Sequence, residues 1–188
     1  YMTTFKPKSI FKRGAEDGAW FGLFLSLLFF FSANALSIPL LGHIATLMAL
    51  CVPVLTFFFL RKGYIQNGFY STFSEIWTHG IIIFTCGSLI MALTIVIYTN
   101  WINPYFIIEQ CNIAINAYRS MGDTGSEIAK TLEEVIKQKM LPSPISIATN
   151  IISFSVFSGS ILSMILASII KAIYKKRKSD NHLNKTSD

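Results

Sequence analysis

Four long apolar runs divide this chain, and a segment that alternates apolar and charged residues separates the third run from the fourth. The runs cover residues 18–36, 40–60, 80–98 and 145–172. Because about 20 residues of helix cross the hydrocarbon core of a bilayer, each run is long enough for one membrane-spanning helix. The pattern predicts an all-α integral membrane protein with four transmembrane helices and an extracytoplasmic helical segment, residues 99–144, between helices three and four.

The composition agrees with a chain that is solvated largely by lipid. Charged residues make up 14% and hydrophobic residues 52% of the sequence, whereas soluble domains carry about 25% charged residues. The net charge of +6 could indicate nucleic-acid binding. However, the Lys and Arg residues flank the apolar runs and do not form a free basic face. The expected partner is therefore the lipid bilayer and not a nucleic acid.

The positions of the 16 Lys and Arg residues predict the orientation of the chain. Most of them lie in residues 1–17, in the link after the second run, or in the last 18 residues, and the intervening segment carries Arg119, Lys130, Lys137 and Lys139. Membrane proteins keep their basic loops in the cytoplasm. We therefore expect a multi-pass protein of the bacterial inner membrane with a cytoplasmic segment 1–17 and a basic cytoplasmic tail 173–188.

The first run has a second interpretation. A basic start, an apolar stretch and the sequence Ala33-Asn34-Ala35 are typical of a secretory signal peptide. The apolar part is longer than is usual for such a peptide, and acidic Asp17 directly precedes it. Retention of residues 1–35 as a first span is the expectation, and their removal is the alternative.

Small residues recur within the first and last runs at helical spacing. In lipid, small side chains on one face of a helix allow a second helix to approach closely. In the last run a spacing of seven, through Ser146, Ser153, Ser160 and Ala167, competes with the spacing of four, and the sequence does not decide between them. The helix-packing candidates at a spacing of four are Gly14, Gly18, Gly22 and Ser26, and Ser155, Gly159, Ser163 and Ala167.

The segment between the third and fourth runs reads as two amphipathic helices. Pro104 suits the first position of a helix, and Thr124 with Glu127 fits a capping box that starts a second one. Pro142 and Pro144 then end that helix. The apolar faces of the two helices could pack on each other, lie on the bilayer or bind a partner.

Catalytic and metal-binding patterns are missing from the sequence. It contains no P-loop, dinucleotide-binding or zinc-protease motif. Its three cysteines, Cys51, Cys86 and Cys111, lack metal-ligand spacing. We therefore predict no catalytic residue, no cofactor and no metal, and we do not expect an enzyme.

Three polar residues are weak functional candidates. Glu75 and His79 are four residues apart near the cytoplasmic boundary of the third run, so that they share one helix face. Asn150 lies inside the fourth run, where an amide more often bonds a neighbouring helix than serves a site.

Four segments also resemble a known family. They read GAEDGAWFGLFLSLL, RKGYIQNGFYSTFSEIWTHG, INPYFIIEQ and SPISIATNIISFSVFSGSILSMILASIIK, and the likeness extends roughly from Gly14 to Lys178. The chain resembles the bacterial four-span membrane proteins catalogued as domain of unknown function 4199. It departs from their pattern at Ile76, where a small residue is common, and at Asn103, where an acidic residue is common. The resemblance implies the four-span architecture and implies no activity.

Two functions fit these observations best; a third, a membrane enzyme, would rest only on Glu75 and His79 and is disfavoured. The first is a non-enzymatic scaffold or interaction protein that contacts a membrane-protein partner through residues 99–144. The alternative is a subunit of a small transporter or channel that assembles as a homo-oligomer through the stripes of small residues. The sequence assigns neither a ligand nor an oligomeric state.

Overall fold

A computed structural model describes residues 9–35, 38–67, 71–138 and 140–185, with no account of the side chains of 123–124 and 175–185. The described residues form helices and no strands, which confirms the all-α prediction. A π-helical turn, Tyr98–Ile102, follows α3 directly. The helices are α1 (Ile10–Ala33), α2 (Pro39–Gln66), α3 (Phe73–Ile97), α4 (Phe106–Arg119), α5 (Asp123–Lys137) and α6 (Pro144–Lys185).

Four of these helices are long and apolar enough to cross a bilayer, as predicted. The candidate spans are Ile10–Ala33, Pro39–Gln66, Phe73–Ile102 and Pro144–Tyr174. Each is longer than the apolar run that identified it, since helical hydrogen bonding continues into the flanking polar residues. In particular, α1 begins at Ile10, so that Arg13 and Asp17 belong to the first helix.

The chain divides into two compact units. Residues Tyr1–Met91 and Ile152–Asp188 form the first, and Ala92–Ile151 form the second. The first unit contains α1, α2, most of α3 and the C-terminal part of α6. Its core takes large side chains from all four helices, and Phe21 packs edge-on against Phe84 with ring centroids 5.0 Å apart. The fully buried members of this core are Phe21, Leu60, Ile83, Ala167 and Ile170.

Glycines bring α1 and α3 into close contact. A Cβ atom on Gly18 would lie 2.7 Å from Cβ of Cys86, and one on Gly22 would lie 2.8 Å from Cβ of Ile90. A Cβ atom on Gly14 would meet Ile82 at 2.7 Å. These distances are shorter than any real carbon–carbon contact, so the interface has no room for one methyl group.

In the part of α6 that belongs to the first unit, the described small residues that are buried are those spaced four apart. Gly159 lies against the ring of Phe84, Ser163 lies against Gly80, and both are buried. Ala167 continues this side of the helix and is fully buried. Ser153, which belongs to the spacing of seven, is exposed. The spacing of four therefore marks the packed face of α6.

The second unit contains a hairpin of two helices, α4 and α5, whose apolar sides face each other. Ile115 of α4 and Ala129 of α5 are both buried. Gly125 lies directly against the carbonyl of Tyr118, which a larger residue would prevent. Of the three ways to cover the apolar faces, the structure shows the first, in which the helices pack on each other.

The starts of both hairpin helices differ from the prediction. The capping-box prediction was wrong, because Gly122 is the N-cap of α5 and Thr124 lies inside the helix, with a side chain outside the described residues. Gly122 has a φ of 81°, a conformation that favours glycine. Pro104 lies in a turn two residues before α4 and is not its first residue.

Substitution of Gly18 by Val should destabilise the first unit. The added carbons would collide with Cys86 and with the backbone of Ile83, and overpacking of this kind costs about 1–3 kcal/mol. The neighbouring Ala19 is exposed, so that Ala19→Val is a matched control. Thermal unfolding in detergent measures both variants, and equal melting temperatures would contradict the close α1–α3 interface.

Candidate functional site: a buried charged cluster

A cluster of ionisable side chains is buried in the first unit, where α1 and α3 begin and α2 ends. Arg13 is 5% exposed, Asp17 is 3% exposed and His79 is 5% exposed. Charged groups in an apolar interior are unfavourable unless they are paired and hydrogen-bonded. Each charged group of the cluster therefore requires a polar or oppositely charged partner.

Arg13 connects α1 to the C-terminal end of α2. Its Nη1 donates to the carbonyl oxygen of Gly63 at 2.9 Å, and both Nη1 and Nη2 donate to Oδ1 of Asn67 at 3.2 Å. The backbone N–H of Asn67 donates to the same Gly63 carbonyl. A cation is favourable here because the last carbonyls of a helix carry partial negative charge. Asn67 in turn donates to the hydroxyl of Ser71 at 2.9 Å.

Asp17 joins α1 to both α2 and α3. Its Oδ1 accepts a hydrogen bond from Nζ of Lys62 at 3.2 Å, and its Oδ2 lies 3.3 Å from Nε2 of His79. Lys62 remains 55% exposed at its side chain, whereas the carboxylate is almost fully enclosed. One buried carboxylate therefore has two cationic or polar neighbours from two different helices.

Glycines also make room for the imidazole ring of His79. A Cβ atom on Gly63 would lie 2.7 Å from Nδ1 of this ring, and one on Gly14 would lie 3.5 Å from its Cδ2. The ring thus lies between the backbones of α1 and α2. Gly14 has two roles, because it also contacts Ile82 of α3.

Glu75 contributes to the start of α3 and takes a partner other than His79. Its Oε2 accepts from the backbone N–H of Thr72 at 2.7 Å, and its own N–H donates to Oγ1 of Thr72 at 3.3 Å. This reciprocal pair is a capping box, which the order Thr72-Phe73-Ser74-Glu75 would have indicated. The carboxylate that lies within 3.3 Å of the His79 ring is that of Asp17.

Asn150, the third weak candidate, is an exposed residue of α6. It belongs to the second unit. The structure thus brings only one of the three candidates, His79, into the buried cluster. Arg13 and Asp17 were not among the sequence candidates, although they flank Gly14 and Gly18 on the same face of α1.

A small cavity adjoins the cluster. Its volume is about 10 Å³, and Arg13, Asn67, Ser71, Glu75 and His79 line its polar side. A cavity of this size with several polar neighbours suits a single water molecule. Among the described residues, no group of three His, Cys, Asp or Glu side chains is placed to hold a metal ion. The charged groups of the cluster can therefore hold one ordered water molecule.

The chain matches the model of a protein family. The family model described as "Protein of unknown function (DUF4199)" matches residues 16–172. No curated protein and no solved structure matches the chain. The matched range includes Asp17, Lys62 and His79 of the buried cluster and excludes Arg13.

Asp17→Asn should lower the free energy of unfolding by about 1–3 kcal/mol, because a neutral amide cannot satisfy both Lys62 and His79 in a buried position. Glu134→Gln provides the control, since Glu134 is an exposed carboxylate of α5 and its change should cost less than about 0.5 kcal/mol. Unfolding of both variants in mild detergent measures the difference. Equal losses would show that Asp17 contributes no more than a surface charge.

Proposed function

This chain belongs to the DUF4199 family, and from that premise we propose that it is a non-enzymatic scaffold or interaction protein of the membrane. The family description names no activity, so the proposal rests on geometry. The observation that supports the proposal is that the buried charged side chains bind other helices of the same chain. Arg13 binds α2, and Asp17 contacts both α2 and α3. Among the described residues, the ionisable groups of the cluster thus hold helices together, and the cavity beside them has the size of one water molecule.

The location that we propose is the inner membrane of a bacterial cell, with both termini in the cytoplasm. Its support is the distribution of charge, because α1 begins and α2 ends among Lys and Arg residues. This orientation puts the α4–α5 hairpin on the outer side of the membrane.

The hairpin is the surface that we propose for contact with a partner. Its apolar sides face each other, and the exposed side of α5 carries Glu127, Lys130, Thr131, Glu134 and Lys137. Acidic and basic groups alternate along this face. A face of mixed charge suits a polar protein surface of complementary charge better than it suits lipid chains. The partner that we propose is therefore the extracytoplasmic part of another membrane protein.

A photo-crosslinking amino acid in place of Lys130 should give one defined protein adduct in native membranes. The same amino acid in place of Leu50, an exposed apolar residue of α2, should give none. Glu134 lies one turn beyond Lys130 on the same face, so Glu134→Lys should weaken the adduct by reversing a contact charge. An adduct that is missing, or that Glu134→Lys leaves unchanged, would refute the proposed surface.

A second candidate function is a subunit of a small transporter or channel. The buried pair of Asp17 and His79 favours it, because ionisable residues within membrane spans often mark ion or proton pathways. The stripes of small residues do not support the oligomer that the sequence suggested, since Gly18 and Gly22 are already covered by α3 of the same chain. A homo-oligomer would have to use another surface, such as exposed Phe154 and Phe157 of α6.

If the chain conducts protons, liposomes that contain it should dissipate a pH gradient faster than empty liposomes do. Asp17→Asn should return the rate to that of empty liposomes, because the carboxylate would carry the proton. Glu134→Gln should keep the wild-type rate. A pH-sensitive dye inside the vesicles gives the measurement, and wild-type rates equal to those of empty vesicles would eliminate this function.

A further inference from the structure

Aromatic and cationic side chains join the C-terminal end of α2 to α6 near Tyr174. The rings of Tyr64 and Tyr174 have centroids 5.1 Å apart. Nε of Arg61 donates to the hydroxyl of Tyr174 at 3.0 Å, and Nζ of Lys171 lies 5.8 Å from the centroid of the Tyr64 ring. Cations above aromatic rings are electrostatically favourable. The cation–π contact favours this position of Lys171, and the hydrogen bond to Tyr174 orients Arg61.

A groove of about 340 Å³ lies beside these contacts on α2. Phe58 and Ile65 form its apolar part, and they are 56% and 40% exposed. Arg61 and Lys62 contribute exposed cations to its edge. Because Lys62 is paired with Asp17, the groove combines an apolar surface with the positive charge of Arg61, which is the combination that an amphiphilic anion requires.

The apolar part of the groove continues along the exposed side of α2. Leu47, Leu50, Val54 and Phe58 are all more than half exposed and follow one another at helical spacing. The apolar run of this helix ends at Leu60, directly before Arg61 and Lys62. This change from apolar to basic residues marks the level of the lipid headgroups.

We propose that this groove binds one anionic phospholipid. Its phosphate accepts hydrogen bonds from Arg61, and one acyl chain lies on Phe58 and the exposed side of α2. Arg61 lines the groove together with apolar Phe58 and Ile65, so a lipid satisfies both parts of the groove and inorganic phosphate satisfies only one. A zwitterionic lipid brings its own ammonium group, which this cation would repel.

Mass spectrometry of the full chain, extracted with lipid from vesicles of phosphatidylglycerol and phosphatidylethanolamine, tests the proposal. Phosphatidylglycerol should be retained preferentially by the wild-type chain. Arg61→Gln should lower this preference about tenfold, since a charge-assisted hydrogen bond to phosphate is lost. Lys12→Gln is the matched control, because Lys12 is an exposed cation near the start of α1 that does not line the groove. Its change should leave the preference within about twofold of wild type.

A second pair of variants tests the apolar half of the groove. Phe58→Ser should also lower lipid retention, whereas Leu23→Ser, at an exposed apolar residue of α1 that does not line the groove, should lower it less. Equal effects of Arg61→Gln and Lys12→Gln would overturn the proposal, because they would indicate a general attraction of the basic end to anionic membranes. Equal retention of the two lipids, or displacement of phosphatidylglycerol by millimolar inorganic phosphate, would overturn it as well.

Discussion

The buried carboxylate of Asp17 is the constraint on which the first unit depends. A carboxylate that is 3% exposed must be paired, since an isolated charge in an apolar interior is strongly unfavourable. Lys62 and His79 supply the pairing from α2 and α3. These neighbours reach Asp17 only because glycines allow the three helices to approach closely. The close packing and the charge pairing therefore require each other.

Because Asp17 must be paired, the glycines of the first unit make two kinds of contact. Gly18 and Gly22 admit the side chains of α3, which is packing of the kind that membrane helices commonly use. Gly63 and Gly14 instead border an imidazole ring. A larger residue at Gly63 would displace the ring of His79 and, with it, the neighbour of Asp17. Gly63 therefore determines both how closely the helices approach and where the imidazole ring lies relative to Asp17.

The sequence predicted the helices well and the charged cluster poorly, for physical reasons. Runs of apolar residues predict membrane-spanning helices directly, so α1 to α3 and α6 could be identified. Small residues at a spacing of four predict which face of a helix is packed. Charged pairs between distant helices leave no local pattern. Asp17 and His79 are 62 positions apart, and the local rule for neighbours on one helix selected Glu75 instead, which forms a capping box with Thr72. Only the position of Asp17 between Gly14 and Gly18 suggested that it faces inward.

Lys62 relates the buried cluster to the proposed lipid groove, since it binds Asp17 and also lines the groove. A phosphate that drew Lys62 away would leave the carboxylate with His79 alone, which opposes a strong lipid contact at this lysine. Arg61 has no such conflict, because its partner in the described part of the chain is the neutral hydroxyl of Tyr174. The two adjacent cations therefore have different roles: Lys62 neutralises the interior, and Arg61 is the residue available to an external anion.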